Sequence, residues 1–176
     1  MYASKLVGDS QHRKERLLFL DFDGVLHPDA VYLTRKGVEL RAAGELFMWA
    51  SLLSSALAEH QDVRIVLSTS WARNLGYKAA LRALPTNLHH LVVGATWHSA
   101  MARSSTDYVA WDNQTRYQQI AAYLSRRAPV TWLAIDDDGE GWETNALDRL
   151  ILTPKNYGLS GAGVMEELIQ KLGACS

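Results

Sequence analysis

The chain has 176 residues, 48% of them apolar and 21% charged, which places it in the range of one ordinary soluble domain with a real core. Eighteen basic residues against nineteen acidic ones leave a formal charge of -1, so nothing in the overall balance draws the protein toward nucleic acid or an anionic membrane. A single cysteine, Cys175, excludes an intrachain disulfide and any cysteine-based metal cluster.

The opening segment "MYASKLVGDSQHRKER" is polar and lacks the apolar centre of a signal peptide, so residues 1–15 are expected to form a loosely held tail. The run "LLFL" that follows is far too short to span a bilayer. A reducing compartment, the cytoplasm, fits the cysteine usage. Five short apolar runs, at 17–20, 63–67, 91–93, 132–135 and 150–152, read as strands buried on both faces, because none alternates. Between them, Leu46, Ala50, Leu53 and Leu57 recur at helical steps, as do Tyr117, Ile120, Ala121 and Leu124, and then Val164, Leu168 and Leu172. A further helix is expected over 77–84, stopped by Pro85. No internal repeat or Pro/Gly/Ser-rich linker divides the chain, so residues 1–176 are expected to form one domain. Alternation of this kind predicts an α/β fold of three Rossmann-like layers, with a central, mostly parallel five-stranded sheet between helices.

In an open parallel sheet, ligands gather at the carboxyl ends of the strands, near the point where strand order reverses. The residues just after the expected strands are Asp21-Phe22-Asp23-Gly24, Ser68-Thr69-Ser70, Gly94-Ala95-Thr96 and Asp136-Asp137-Asp138. Hydroxyls and carboxylates thus collect at one end of the sheet. Asp21 and Asp23 leave their strand on the same side with Cα atoms on the order of 6.6 Å apart, and can face one bound group. Phe22 points the other way, into the core, and Gly24 permits a sharp turn. If Asp136 and Asp137 join them, each pair of charges at 4 Å repels by roughly 4 kcal/mol at an effective dielectric near 20. Such a site requires a cation, and a set of few oxygen ligands with room for water and phosphate suits Mg²⁺ better than Ca²⁺.

"LLFLDFDGVLHPD" resembles the first motif of the haloacid dehalogenase (HAD) superfamily, an apolar strand followed by D-x-D-G-x-[LFV]. "IVLSTSW" is similar to its second motif, a strand ending in Ser or Thr, with Thr69 preferred to Ser68, and "WLAIDDD" to its fourth, a strand ending in paired acids. The third motif is a basic residue near the start of the helix before the acidic strand; Arg116 in "NQTRYQQI" stands about there, and Arg126, Arg127 and Lys155 compete for the role. The resemblance covers about residues 16–159 and implies a Mg²⁺-dependent phosphomonoester hydrolase. Asp21 would be the nucleophile that forms an aspartyl-phosphate, and Asp23 the acid and then the base. Thr69, Ser70 and the basic residue would bind the phosphoryl oxygens. The metal would be held by Asp21, the backbone carbonyl of Asp23, and one or both of Asp136 and Asp137. Asp23 also separates this chain from the superfamily's halide-displacing members, which generally lack an acid there, and from its transport ATPases, which usually carry Thr.

Other features carry plainer meanings. Trp97 and Trp111 invite a base-stacking role, but tryptophans mostly pack. His27 so close to the first motif is more often local structure, and "GLSGAG" at residues 158–163 reads as a turn into the last helix. About 40 residues separate Gly24 from the second expected strand, and one helix must fit among them, so a cap domain is minimal or lacking. An open site of this kind suits a large substrate or completion by a second copy of the chain. "DFDGVLHP", "STSW" and the compact layout look most like the HAD domains of RNA-repair proteins, which makes the expected substrate a phosphorylated compound such as a nucleotide or a polynucleotide end. Two other readings remain at this point: a phosphate- or nucleotide-binding module without turnover, and a phosphotransferase to an acceptor other than water.

Overall fold

The computed structural model describes residues 15–101, 111–128 and 130–174. The expected N-terminal tail, apart from Glu15, lies outside the described residues, as do Cys175 and most of the loop between Trp97 and Trp111.

A parallel sheet of five strands forms the centre. Its members are β1 (Arg16–Leu20), β4 (Val63–Leu67), β5 (Val92–Ala95), β6 (Thr131–Asp136) and β7 (Leu150–Leu152), in the order β5-β4-β1-β6-β7. β1 is central, and all five of its residues are buried. Its side chains alternate between two apolar layers. Leu18 and Leu20 join the layer that holds α1 (Ala50–Leu57), α3 (Tyr77–Ala83) and α5 (Val164–Ala174), whereas Leu17 and Phe19 pack with Ile120 of α4 (Arg116–Leu124). A continuous apolar run is what a strand covered on both faces requires. The expected three-layer α/β architecture is therefore the one observed.

Besides shifts of a residue at strand and helix ends, boundaries and connections differ from expectation in four ways. The strand expected at 91–93 begins at Val92 and continues to Ala95, because Leu91 closes the 3-10 turn Thr86–Leu91. The first helix starts at Ala50, and Leu46 packs half-buried against the core ahead of it. A short helix, α2 (Ser70–Asn74), directly follows β4, capped by the Thr69 side chain. The stretch after Gly24 contains an antiparallel hairpin, β2 (Val31–Thr34) and β3 (Gly37–Leu40), with Thr34 opposite Gly37. Its signal in the sequence is weak, since Tyr32 and Leu33 face solvent at 49% and 63% exposure and blur the alternation. No helix among the described residues is long and apolar enough to cross a membrane.

The loop after β1 is tied to the segment after β7. Thr153 Oγ1 donates to the Gly24 carbonyl at 2.7 Å, Asp29 N to Lys155 O at 2.9 Å, and Leu159 N to Val25 O at 3.0 Å. Gly158 permits this closeness: its φ is +44°, and a Cβ there would lie 2.3 Å from the Val25 carbonyl oxygen and 2.4 Å from the Trp49 ring. The Thr153 bond is buried. Thr153→Val keeps the shape and strands the Gly24 carbonyl, so it should cost about 1–3 kcal/mol, with each kcal/mol lowering the melting temperature by roughly 2–4 °C. Calorimetric melting of the variant checks this, and an unchanged midpoint would remove the bond from the account.

Candidate active site

Strand register brings the acids together. Leu20 pairs with Leu67 on one side and Ile135 on the other, so Asp21, Ser68 and Asp136 follow in one row at the carboxyl edge. The ladder continues past the strand end, with Asp21 N donating to Ile135 O at 3.1 Å and Ser68 N to Leu20 O at 2.8 Å. Strand order reverses at β1, where the chain that built outward to β4 and β5 returns to place β6 on the other side. That is where the general rule for open α/β sheets puts a ligand.

Asp21, Asp136 and Asp137 each offer a carboxylate oxygen, and these oxygens lie within 4.8 Å of one another. Asp21 and Asp136 are almost wholly buried. Gly24, with φ at +67°, sits directly against the third acid: a Cβ on it would fall 2.4 Å from Asp137 Oδ2. Any side chain there would push Asp137 out of the cluster.

Arg116, the first residue of α4, reaches back into this cluster. Its Nη2 donates to Asp21 Oδ2 at 3.0 Å, and its Nε lies 2.8 Å from Asp136 Oδ2 as an ion pair without an aligned N–H. A capping box formed by Thr115 and Gln118 starts the helix at this point. Gln119 Oε1 accepts from Arg116 Nη1 at 3.3 Å, and its own amide is tied to the carbonyls of Trp111 and Gln114. Of the four basic candidates, Arg116 is the one brought onto the acids. Lys155 Nζ stands at the rim, exposed, 3.7 Å from Asp29 Oδ2 and 4.0 Å from Asp137 Oδ2. Arg126 meets His98, and Arg127 lies over the Tyr123 ring, away from the cluster.

The Thr69 hydroxyl hydrogen-bonds the Asp21 carboxylate and accepts from Trp71 N at 3.4 Å. Ser68 Oγ is buried without a hydrogen-bond partner among the described residues. Ser70 is half-buried and lines a small cleft with Asp23, Val31, Val38 and Trp71. The Asp23 carboxylate stands outside the three-acid cluster and is bonded to Trp71 and His27. Asp138 is exposed, and its backbone N–H donates to Asp136 Oδ1 at 3.0 Å. Trp97 and Trp111 are buried and pack edge-to-face at 5.2 Å, as packing residues should.

Burial raises the pKa of Asp21, against the pull of Arg116 and with a further push from Asp23. Burial and then the Asp21 charge raise Asp136 well above the ordinary carboxylate value. Asp137 is raised to about 6 by burial, Asp21 and Asp29. Burial works against charge on Arg116 too, but Asp21 and Asp136 outweigh it and hold its pKa above the ordinary value. Three acids thus share one buried guanidinium, which leaves a surplus of negative charge. Clustered hard oxygen donors with that surplus fit a divalent cation such as Mg²⁺.

Sequence reasoning passed over Trp71 and Gln119, and it read His27 as local structure. Gln119 had a signal, since it stands three residues after Arg116 on one helix face. Trp71 had none, because its reach to Asp23 depends on how α2 packs.

A three-layer α/β sheet with acids, a hydroxyl and a guanidinium at its carboxyl edge defines a protein of the HAD type. The model of a family described as the HAD domain in Swiss Army Knife RNA repair proteins matches residues 17–164, and the chain belongs to that family and to the HAD superfamily. A solved structure from Vibrio cholerae, described provisionally as a 3-deoxy-D-manno-octulosonate 8-phosphate phosphatase, aligns at 16% identity over 92% of this chain and 85% of that one, with a TM-score of 0.40. No curated protein matches the sequence.

Asp137 ties the site to stability. Its raised pKa means that the folded metal-free chain binds a proton there more tightly than the unfolded chain does, so its contribution is complete below 3.8 and is lost as the pH rises through about 6. In EDTA, Asp137→Asn should gain on the wild type as the pH rises through this window, reaching about 1–2 kcal/mol near neutrality after allowance for solvent screening. Added Mg²⁺ should stabilise the wild type more than the variant. Thermal melts across pH check both, and a difference independent of pH would remove Asp137 as the source.

Proposed function

We propose that this protein is a Mg²⁺-dependent phosphomonoesterase that works through an aspartyl-phosphate on Asp21. The observation that carries the reading is the convergence of Asp21, Asp136 and Asp137 on Arg116 at the reversal point of the sheet. Asp21 and Arg116 touch, so a phosphoryl group held by the guanidinium lies against the nucleophile. Asp21 attacks phosphorus and its carboxylate oxygen forms the new P–O bond, which divides one hard displacement into two easier ones. Asp23 gives a proton to the departing ester oxygen, then takes one from the water that opens the acyl-phosphate, a role worth typically 10²- to 10⁴-fold. Thr69 and Arg116, with Ser70 beside them, donate to the phosphoryl oxygens. Asp21, Asp136, Asp137 and the Asp23 carbonyl are the groups that would hold Mg²⁺, which when bound supplies the positive charge a phosphate dianion needs to approach these acids.

A binding module without turnover would lack a member of this set, and the basic residue was the one in doubt from sequence. Arg116 at 3.0 Å from Asp21 favours turnover. The family's association with RNA repair favours a phosphorylated polynucleotide end as substrate. Among the described residues, the cleft beside Asp23 is bordered by the β2–β3 hairpin and α2, with no inserted domain over it, which suits so large a molecule.

The test is a comparison of wild type with Asp21→Asn on 4-nitrophenyl phosphate, nucleotides, sugar phosphates and 5′- or 3′-phosphorylated oligoribonucleotides, in Mg²⁺ and in EDTA. Wild type should release phosphate only with the metal, and Asp21→Asn should lose roughly 10⁴-fold or more. Equal turnover by the two proteins would reject Asp21 as nucleophile.

A further inference from the structure

Asp23 is held in a way that the reaction scheme does not by itself require. Trp71 Nε1 lies 3.1 Å from its Oδ1 and 3.0 Å from its Oδ2, so one indole N–H is shared between both carboxylate oxygens. His27 Nε2 lies 3.0 Å from Oδ1. The His27 ring is fully buried, and its other nitrogen, Nδ1, accepts the backbone N–H of Phe47 at 3.2 Å. An accepting Nδ1 leaves the ring proton on Nε2, where it points at Asp23.

The backbone that supplies this N–H is itself unusual. Phe47 has φ at +61°, the one positive value among the described residues other than glycine. Bulky residues avoid that region, and departures of this kind persist where the surroundings impose them. The surroundings here are four rings: Phe22, Phe47, Trp71 and His27 pack at tilted or edge-on angles with centroids 5.0 to 5.9 Å apart. Both donors therefore belong to flat rings wedged in a core. A buried histidine most often bonds backbone groups or water, as polar side chains generally do. This one spends its second nitrogen on the half-exposed acid that faces the cleft.

From this we infer that His27 and Trp71 are positioning residues, a clamp that fixes the Asp23 carboxyl group in the rotamer that delivers its proton to the leaving oxygen. The inference rests on the phosphatase reading above. In the step it serves, the Asp21 oxygen bonds to phosphorus while the ester P–O bond breaks, the bonding pair passes to the leaving oxygen, and the Asp23 proton joins that oxygen to release an alcohol. Orientation limits this transfer, because donor and acceptor must lie within hydrogen-bond reach along one line. Esters whose leaving group departs readily as an anion need the proton least.

The experiment measures kcat/KM in Mg²⁺ for wild type, Trp71→Phe, His27→Phe and His27→Gln on a series of aryl phosphates graded in leaving-group acidity, ending with an alkyl phosphate. Trp71→Phe and His27→Phe should lose at least about 10-fold more on the alkyl ester than on 4-nitrophenyl phosphate, giving a steeper dependence on leaving-group pKa than wild type. His27→Gln, which keeps a donor nitrogen near the place of Nε2, should recover most of that difference. Equal losses on every ester in variants with wild-type circular dichroism, or no loss on any, would overturn the clamp while leaving the phosphatase reading intact. A wild type inert toward all the esters would instead overturn that reading and the clamp with it. Should His27→Phe fail to fold, Trp71→Phe must still show the selective loss on the alkyl ester and His27→Gln must stay close to the wild-type profile, and failure of either overturns the clamp.

Discussion

Repulsion among three clustered carboxylates, two buried and one partly so, is the constraint around which this structure is arranged. Asp21, Asp136 and Asp137 present oxygens within 4.8 Å of one another at a sheet edge that excludes most water. At such distances each ionised pair opposes folding by several kcal/mol even with a generous dielectric. One guanidinium, Arg116, answers part of that charge, and Lys155 stands too far into solvent to answer much of the rest. The cluster persists because the elements that carry it are held for other reasons. β1 and β6 are covered on both faces by apolar layers, and their register alone sets Asp136 beside Asp21. An arrangement of clustered hard oxygen donors of this kind fits a divalent cation.

Arg116 depends on a second layer of ordering. A long side chain loses considerable rotamer freedom when held in one place, and that cost falls when the backbone and neighbours already point it there. The Thr115–Gln118 capping box fixes the first turn of α4, and Gln119, itself tied to two carbonyls, holds the guanidinium from behind. The charge that opposes the acids is thus delivered by the helix that also covers the Leu17 and Phe19 face of β1. Packing and electrostatics share one element.

The loop after β1 shows the same economy. Gly24 gives way to Asp137 on one side and offers its carbonyl to Thr153 on the other. Phe22 turns into an aromatic group with Phe47, Trp71 and His27, and the last two bond to Asp23. A single residue, Phe22, therefore separates two acids with different surroundings: Asp21 is buried against Arg116, while Asp23 faces a cleft bordered by the β2–β3 hairpin. Different environments for two like groups are what allow them different chemical tasks.

Much of this was legible in the residues alone. Short unbroken apolar runs alternating with segments of helical period read as strands covered on both faces, so the five strands and the three-layer fold follow from the pattern along the chain. The acids and hydroxyls at the ends of those runs follow too, because strand ends in such sheets converge on one edge. What the linear order could not decide was which of four basic residues enters the site, because reach depends on where α4 begins and how it packs over β1. It also could not show Trp71 and His27 closing on Asp23, since they come from different elements and meet only after the aromatic group has assembled. Local pattern reports what each segment buries. Only the folded chain determines which polar atoms that burial brings within hydrogen-bonding distance, because those distances are set by contacts between residues far apart in sequence.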